Sequence, residues 1–259
     1  MSTTLEYEPN RTTFLREIRV WRCTPATRAW FWWFIQASAY LTFKIIYRLK
    51  VYGLENMPKT GGVMIASSHQ SYLDPALLGA LPRRPTAFLA NAYLFKNPFL
   101  GWFIRNLNAF PIEQGKGDRA AVTQAIDRLK DGYVLTIFPE GHRSPDGDLR
   151  TLERGFTLVA RKAGVPILPA VIDGAYHAWP RRKKFPGVHP VHILFGKPID
   201  VSQMNAQEIV AAVTKALEEL TIDLRNRRGT SGWPEWYAQH GRRLPGSDDQ
   251  PINSEDEDA

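Results

Sequence analysis

Two stretches place titratable side chains directly after apolar runs. In SSHQSYLDP, residues 67–75, an imidazole (His69) and a carboxylate (Asp74) follow VMIAS with four residues between them. A neutral imidazole takes a proton from a hydroxyl as general base, while a carboxylate on its other nitrogen fixes the tautomer and stabilises the imidazolium that forms. The chain need not supply its own nucleophile for such chemistry, because the attacking hydroxyl can belong to the substrate. The second stretch, FPEGHRSPDG at 138–147, follows YVLTIF. Its Glu140 suits a hydroxyl, Gly141 loosens the turn, and Arg143 offers a phosphate two parallel donors. Taken singly, the first stretch also fits an ordinary Asp-Pro helix start and the second a solvated turn closed by a Glu to Arg ion pair.

These residues need elements to position them. On a continuous helix two positions five apart differ by roughly 140° in phase, so His69 and Asp74 meet only across a turn. The pattern allows this: a strand ends at Ser67 or Ser68, and Asp74 with Pro75 reads as N-cap and first helical residue. Strand candidates are GVMIAS, TAFLA, AFPI, YVLTIF, VPILPAVI and HPVHILFG, separated by helical stretches such as 119–130, where Val122, Ala125, Ile126 and Leu129 share a face. A long amphipathic helix over 205–227 opens on the capping box NAQE. The alternation predicts an α/β sandwich around a central, mostly parallel or mixed sheet flanked by helices. Parallel strands present their carboxyl ends along one edge, where ligands of open α/β sheets bind, so His69 and the 138–147 loop should converge there.

The totals bound the function. A chain of 259 residues with 44% hydrophobic content is long enough for one large core. The single cysteine, Cys23, excludes an intrachain disulfide and a cysteine cluster for zinc. Net charge is +7, yet the last fourteen residues, GSDDQPINSEDEDA, hold six acids and no base; the chain before them carries 33 basic against 20 acidic residues, an excess of thirteen. So basic a body suits an anionic partner. Residues 29–43, AWFWWFIQASAYLTF, form an uncharged aromatic run bounded by Arg28, Lys44 and Arg48. It falls short of the roughly 20 apolar residues of a span, and its Trp, Phe and Tyr belong at headgroup level. TFLREIRVWR, just upstream, alternates arginines with Phe14, Ile18 and Trp21 as an interfacial helix does. The expected organisation is membrane-associated helices over 1–49, an α/β domain over 50–228 and a disordered acidic tail over 229–259. The competing arrangement packs the N-terminal helices on the soluble core.

Taken together and in this order, the two stretches resemble the glycerolipid acyltransferase family. HQSYLD matches its His, four residues, Asp signature; FPEGHRS matches its Phe-Pro-Glu-Gly-Thr-Arg-Ser block; VPILPAVIDGA matches a later apolar block; and the resemblance runs from about Tyr52 to Pro198. The resemblance implies transfer of a fatty acyl chain from acyl-CoA or acyl carrier protein to the free hydroxyl of lysophosphatidic acid, without metal or other cofactor. It implies His69 as base and Asp74 as its partner, with Glu140, Gly141 and Arg143 in the glycerophosphate-binding loop. Three departures stand out. Gln114 occupies the place of a family arginine that binds phosphate, so Lys116 or Arg119 is the expected source of that charge; NAYLF at 91–95 lacks the lysine often found before its leucine, with Lys96 nearby; and His142 replaces a threonine. The expected partners are a lipid surface, a lysophospholipid and an acyl thioester, at the cytoplasmic face of a membrane. Another lysolipid or an amino-acid-derived acceptor is the alternative. Nucleic-acid binding is disfavoured because the basic residues are dispersed and match no recognition motif.

Overall fold

A computed structural model describes residues 26–81, 84, 86–106, 109–112, 119–180 and 183–229. The 13–22 segment, Gln114, Lys116 and the acidic tail lie outside the described residues. Among the described residues the helices are α1 (Ala26–Ile46), α2 (Asp74–Gly79), α3 (Pro98–Asn106), α4 (Arg119–Lys130), α5 (Gly155–Ala163), α6 (Ala175–Ala178) and α7 (Ala206–Arg227). The strands are β1 (Lys50–Tyr52), β2 (Val63–Ser67), β3 (Thr86–Asn91), β4 (Ala109–Ile112), β5 (Val134–Ile137), β6 (Ile167–Asp173) and β7 (His192–Phe195). They form one sheet in the order β1-β7-β6-β2-β5-β3-β4. β6, β2, β5, β3 and β4 run parallel, whereas β7 pairs antiparallel with β6 and carries β1 parallel to itself. The sheet is therefore mostly parallel and mixed, as expected; β1, with only three residues, escapes the sequence pattern.

Both faces of the sheet are covered. Met64 and Ala66 of β2 point to one side and pack with Leu135, Ala125 and Leu129 of α4, Phe156 and Val159 of α5, and Ile209, Val213 and Leu217 of α7. Val63 and Ile65 point to the other side, among Leu168, Leu77 and Leu78 of α2, and Phe43. With neither face wet, β2 is buried along its whole length and reads as an unbroken apolar run. Asn205 caps α7 as its spacing predicts: its side chain accepts from the Gln207 and Glu208 amides, and Glu208 reaches back to the Asn205 amide at 2.7 Å.

Helix α1 contains the aromatic run. Its inner face joins the core through Gln36, Ala39 and Phe43, and Gln36 Nε2 donates to the Gly79 carbonyl at the end of α2 at 2.7 Å. Its outer face leaves Phe34, Leu41 and Ile45 exposed, beside Lys44 and Arg48. No helix among the described residues is long and apolar enough to cross a membrane.

Burial sets the expected cost of substitution. Leu168→Ala, at a fully buried position, should lower unfolding free energy by about 2–5 kcal/mol, against about 1 kcal/mol for Asn205→Ala. Urea denaturation midpoints at constant slope check both.

Candidate active site

Strands β2 and β5 are adjacent and parallel, with Met64 opposite Leu135 and Ala66 opposite Ile137, so the segments after them leave the sheet side by side. Beyond β2 the chain turns through Ser68–Leu73 before α2. Asp74 closes this turn: its Oδ2 accepts from His69 Nδ1 at 2.9 Å and from the amides of Gln70 and Ser71 at 2.6 and 2.7 Å. The structure thus brings His69 and Asp74 together across a turn. The expected N-cap role of Asp74 gives way to another. Asp74 lies inside the first turn of α2, its carboxylate is directed back at the preceding turn, and no side chain caps the helix. Asp74 is fully buried, whereas the His69 side chain keeps 16% of its surface open. The imidazole stacks on Phe138 with ring centroids 3.9 Å apart and planes 18° from parallel. Nδ1 is committed to Asp74, and Nε2 has no hydrogen-bond partner among the described residues.

The loop after β5 binds the same turn through the main chain. Glu140 Oε1 accepts from the His69 amide at 2.7 Å and Oε2 from the Arg150 amide at 3.0 Å, and the residue is only 4% exposed. Sequence reasoning gives this carboxylate to a ligand hydroxyl; the fold spends both its oxygens on backbone donors instead. The Ser144 amide in turn donates to the His69 carbonyl at 2.7 Å, and Gln70 Nε2 donates to the Gly147 carbonyl at 2.6 Å. Gly141 holds a φ of 72°, the left-handed region where a side chain is strained, so a glycine is needed to turn the chain between Glu140 and Arg143. His142 is exposed.

Arg143 lies 3.5 Å from the centroid of the Tyr72 ring, a stacking geometry that holds the guanidinium plane, and its buried Nη1 has no hydrogen-bond partner among the described residues. Tyr72 leans on Trp179, whose carbonyl accepts from Ser71 Oγ at 2.8 Å. The geometry therefore gathers His69, Asp74, Glu140, Gly141 and Arg143 at one rim. Arg119 opens α4, beyond β4 along the same carboxyl edge, and is exposed. Phe138, Gln70, Tyr72 and Ser144 complete the site; all four lie inside the two chemical stretches, yet nothing in their type or spacing announces a partner.

Burial pushes the Glu140 carboxyl up to about 8, and the negative charge of Asp74 adds to the rise, while the His69 and Arg150 amides pull the other way. Between the ordinary carboxylate range and about 8, the folded chain holds a proton that the unfolded chain has released. This contribution to stability is complete at acid pH and fades as pH climbs through about 8.

The chain is similar to known proteins. Residues 48–173 match the family model described as Acyltransferase. The chain is 30% identical to the 1-acyl-sn-glycerol-3-phosphate acyltransferase of Bacillus subtilis over 184 residues, spanning 69% of this chain and 89% of that protein. It is 32% identical to the lyso-ornithine lipid O-acyltransferase of Pseudomonas aeruginosa over 55% of this chain and 52% of that protein. The crystal structure of the 1-acyl-sn-glycerophosphate acyltransferase of Thermotoga maritima superposes with a TM-score of 0.65 at 27% identity, covering 80% of this chain and 87% of that one.

Replacing Glu140 by Gln removes the titrating group, so the stability advantage of the parent over Glu140→Gln should shrink as pH rises from about 6 to about 9. Denaturant midpoints of the two proteins across that range provide the check, and a difference independent of pH would mean that Glu140 stays ionised in the fold.

Proposed function

This chain belongs to the acyltransferase family, and from that premise we propose that it moves a fatty acyl chain from an acyl thioester, acyl-CoA or acyl carrier protein, to the free hydroxyl of lysophosphatidic acid, giving phosphatidic acid. The observation that carries the reading is the His69–Asp74 contact at 2.9 Å, which commits one imidazole nitrogen and leaves the other unpartnered among the described residues. His69 Nε2 takes the proton of the acceptor hydroxyl as its oxygen attacks the thioester carbonyl. Asp74 holds the Nδ1 proton and balances the imidazolium. Collapse of the tetrahedral intermediate expels the thiolate, which recovers the proton from Nε2.

The remaining residues divide between positioning and recognition. Glu140 and Gly141 shape the loop and hold the His69 backbone, while Arg143, kept flat on Tyr72, receives the acceptor phosphate. Lys116 and Arg119 supply further positive charge where Gln114 supplies none. Membrane attachment falls to residues 1–49 and catalysis to 50–228, with the protein peripheral or monotopic on the cytoplasmic face. The exposed Phe34, Leu41 and Ile45 of α1, flanked by Lys44 and Arg48, support that placement. A second acceptor, a lysolipid built on an amino acid, is favoured by Gln114 in place of a phosphate-binding arginine and by the similarity to a lyso-ornithine lipid acyltransferase.

His69→Ala should lower turnover by about 10²-fold or more with acceptor affinity retained. Single-turnover kinetics with lysophosphatidic acid tests this, and substantial residual chemistry would place the base elsewhere. Arg143→Ala should raise KM for phosphorylated acceptors by roughly tenfold and leave KM for the thioester alone. Mass spectrometry of products formed from a panel of lysolipids decides between the two acceptors.

A further inference from the structure

A second apolar surface lies at the same rim as His69 and takes no part in the core. β3 runs parallel to β5 and β2, so its carboxyl end reaches the edge from which His69 projects, two strands or about 10 Å along the sheet. The 3₁₀ turn Ala92–Lys96 and α3 follow there. Phe99 is 86% exposed, Tyr93 72% and Trp102 61%, with Leu94 partly open beside them. Such a cluster of large side chains in water marks an interaction site. Its charges narrow the partner: Lys96 Nζ sits 5.6 Å from the Tyr93 ring and the Arg105 guanidinium 5.2 Å from the Phe95 ring. Aromatic side chains with cations at their margin fit the headgroup level of an anionic bilayer.

The topology gives this surface a counterpart. β1 is antiparallel to the central strands, so the end of α1 that leads into it, with exposed Ile45 and Ile46, comes to the same carboxyl edge on the other side of His69. We propose that the Tyr93–Trp102 surface is a docking platform for anionic phospholipid that, with the end of α1, straddles the site and turns its opening toward the bilayer. This inference rests on the reading of the chain as an enzyme of membrane lipids.

Two double variants of the full chain test it by sedimentation with vesicles of phosphatidylglycerol and phosphatidylcholine, or of phosphatidylcholine alone. Leu94→Ser with Phe99→Ser should weaken partition into both by roughly tenfold. Lys96→Glu with Arg105→Glu should weaken it by about tenfold on the anionic vesicles only. Both should keep parental turnover of a short-chain acceptor dispersed as monomers. Partition of both variants within about twofold of the parent overturns the proposal and leaves a protein partner for this surface; so does a parent that ignores vesicles, or loss of cooperative melting in the exposed charge pair. A parent that binds vesicles through the platform yet cannot acylate the dispersed acceptor refutes the catalytic reading instead.

Discussion

One carboxylate oxygen organises the site. Asp74 Oδ2 accepts from an imidazole and from two successive backbone amides, so orienting the ring and closing the turn that carries it are a single event. In a fully buried position those three donors replace the water that an ionised oxygen demands. The imidazole needs a fixed backbone as well as a fixed ring. Glu140 and Ser144 provide it by gripping the amide and the carbonyl of His69 from the neighbouring loop. Two acidic side chains thus converge on one residue. Burial raises the proton affinity of Glu140, and the nearby Asp74 charge adds to it, relieving the cost of two buried negative charges.

The loop that grips His69 is itself held from behind. Arg225, near the end of α7 and almost fully buried, donates to Asp148 Oδ1 at 2.9 Å, and Arg228 pairs with Asp173 at the end of β6. Asp148 follows Gly147, whose carbonyl takes the Gln70 side chain, so the C-terminal helix is connected to the residue beside His69 through a short run of polar contacts. Buried ion pairs are weak contributors to stability because desolvation offsets attraction. Of the two, the Arg225–Asp148 pair is the one that reaches the loop. Tyr176 adds a second tether, donating its hydroxyl proton to the Pro145 carbonyl at 2.8 Å.

How far the sequence discloses this depends on whether a residue's partner is a face or an atom. Faces are periodic: α4 spans the 119–130 stretch whose apolar spacing marks it, and β4 coincides with AFPI, because burial repeats along an element. The meeting of His69 with Asp74 was legible because helical phase excludes it everywhere except across a turn. The partners of Glu140 were not, since they are main-chain amides 71 and 10 positions away and no side chain signals them. The N-cap reading of Asp74 failed for a related reason: spacing places a carboxylate at a helix start, but only the turn geometry decides whether it faces the helix or the residues before it. The stacking of Arg143 on Tyr72 likewise joins two loops whose approach is set by the sheet order.

That order also bears on selectivity between hydroxyls. A base able to deprotonate a glycerol hydroxyl will serve water as well, and hydrolysis of the thioester would waste the acyl chain. The His69 ring is partly shielded: Phe138 covers one face at 3.9 Å, and only 16% of the side chain is open. Shielding lowers the local water concentration without lowering that of an acceptor concentrated in a bilayer, provided the remaining opening faces lipid. As a base, a partly covered imidazole between two apolar margins would favour the lipid hydroxyl by supply as much as by recognition. If the proposed function holds, the arginine beside it would orient an acceptor that the surface has already delivered.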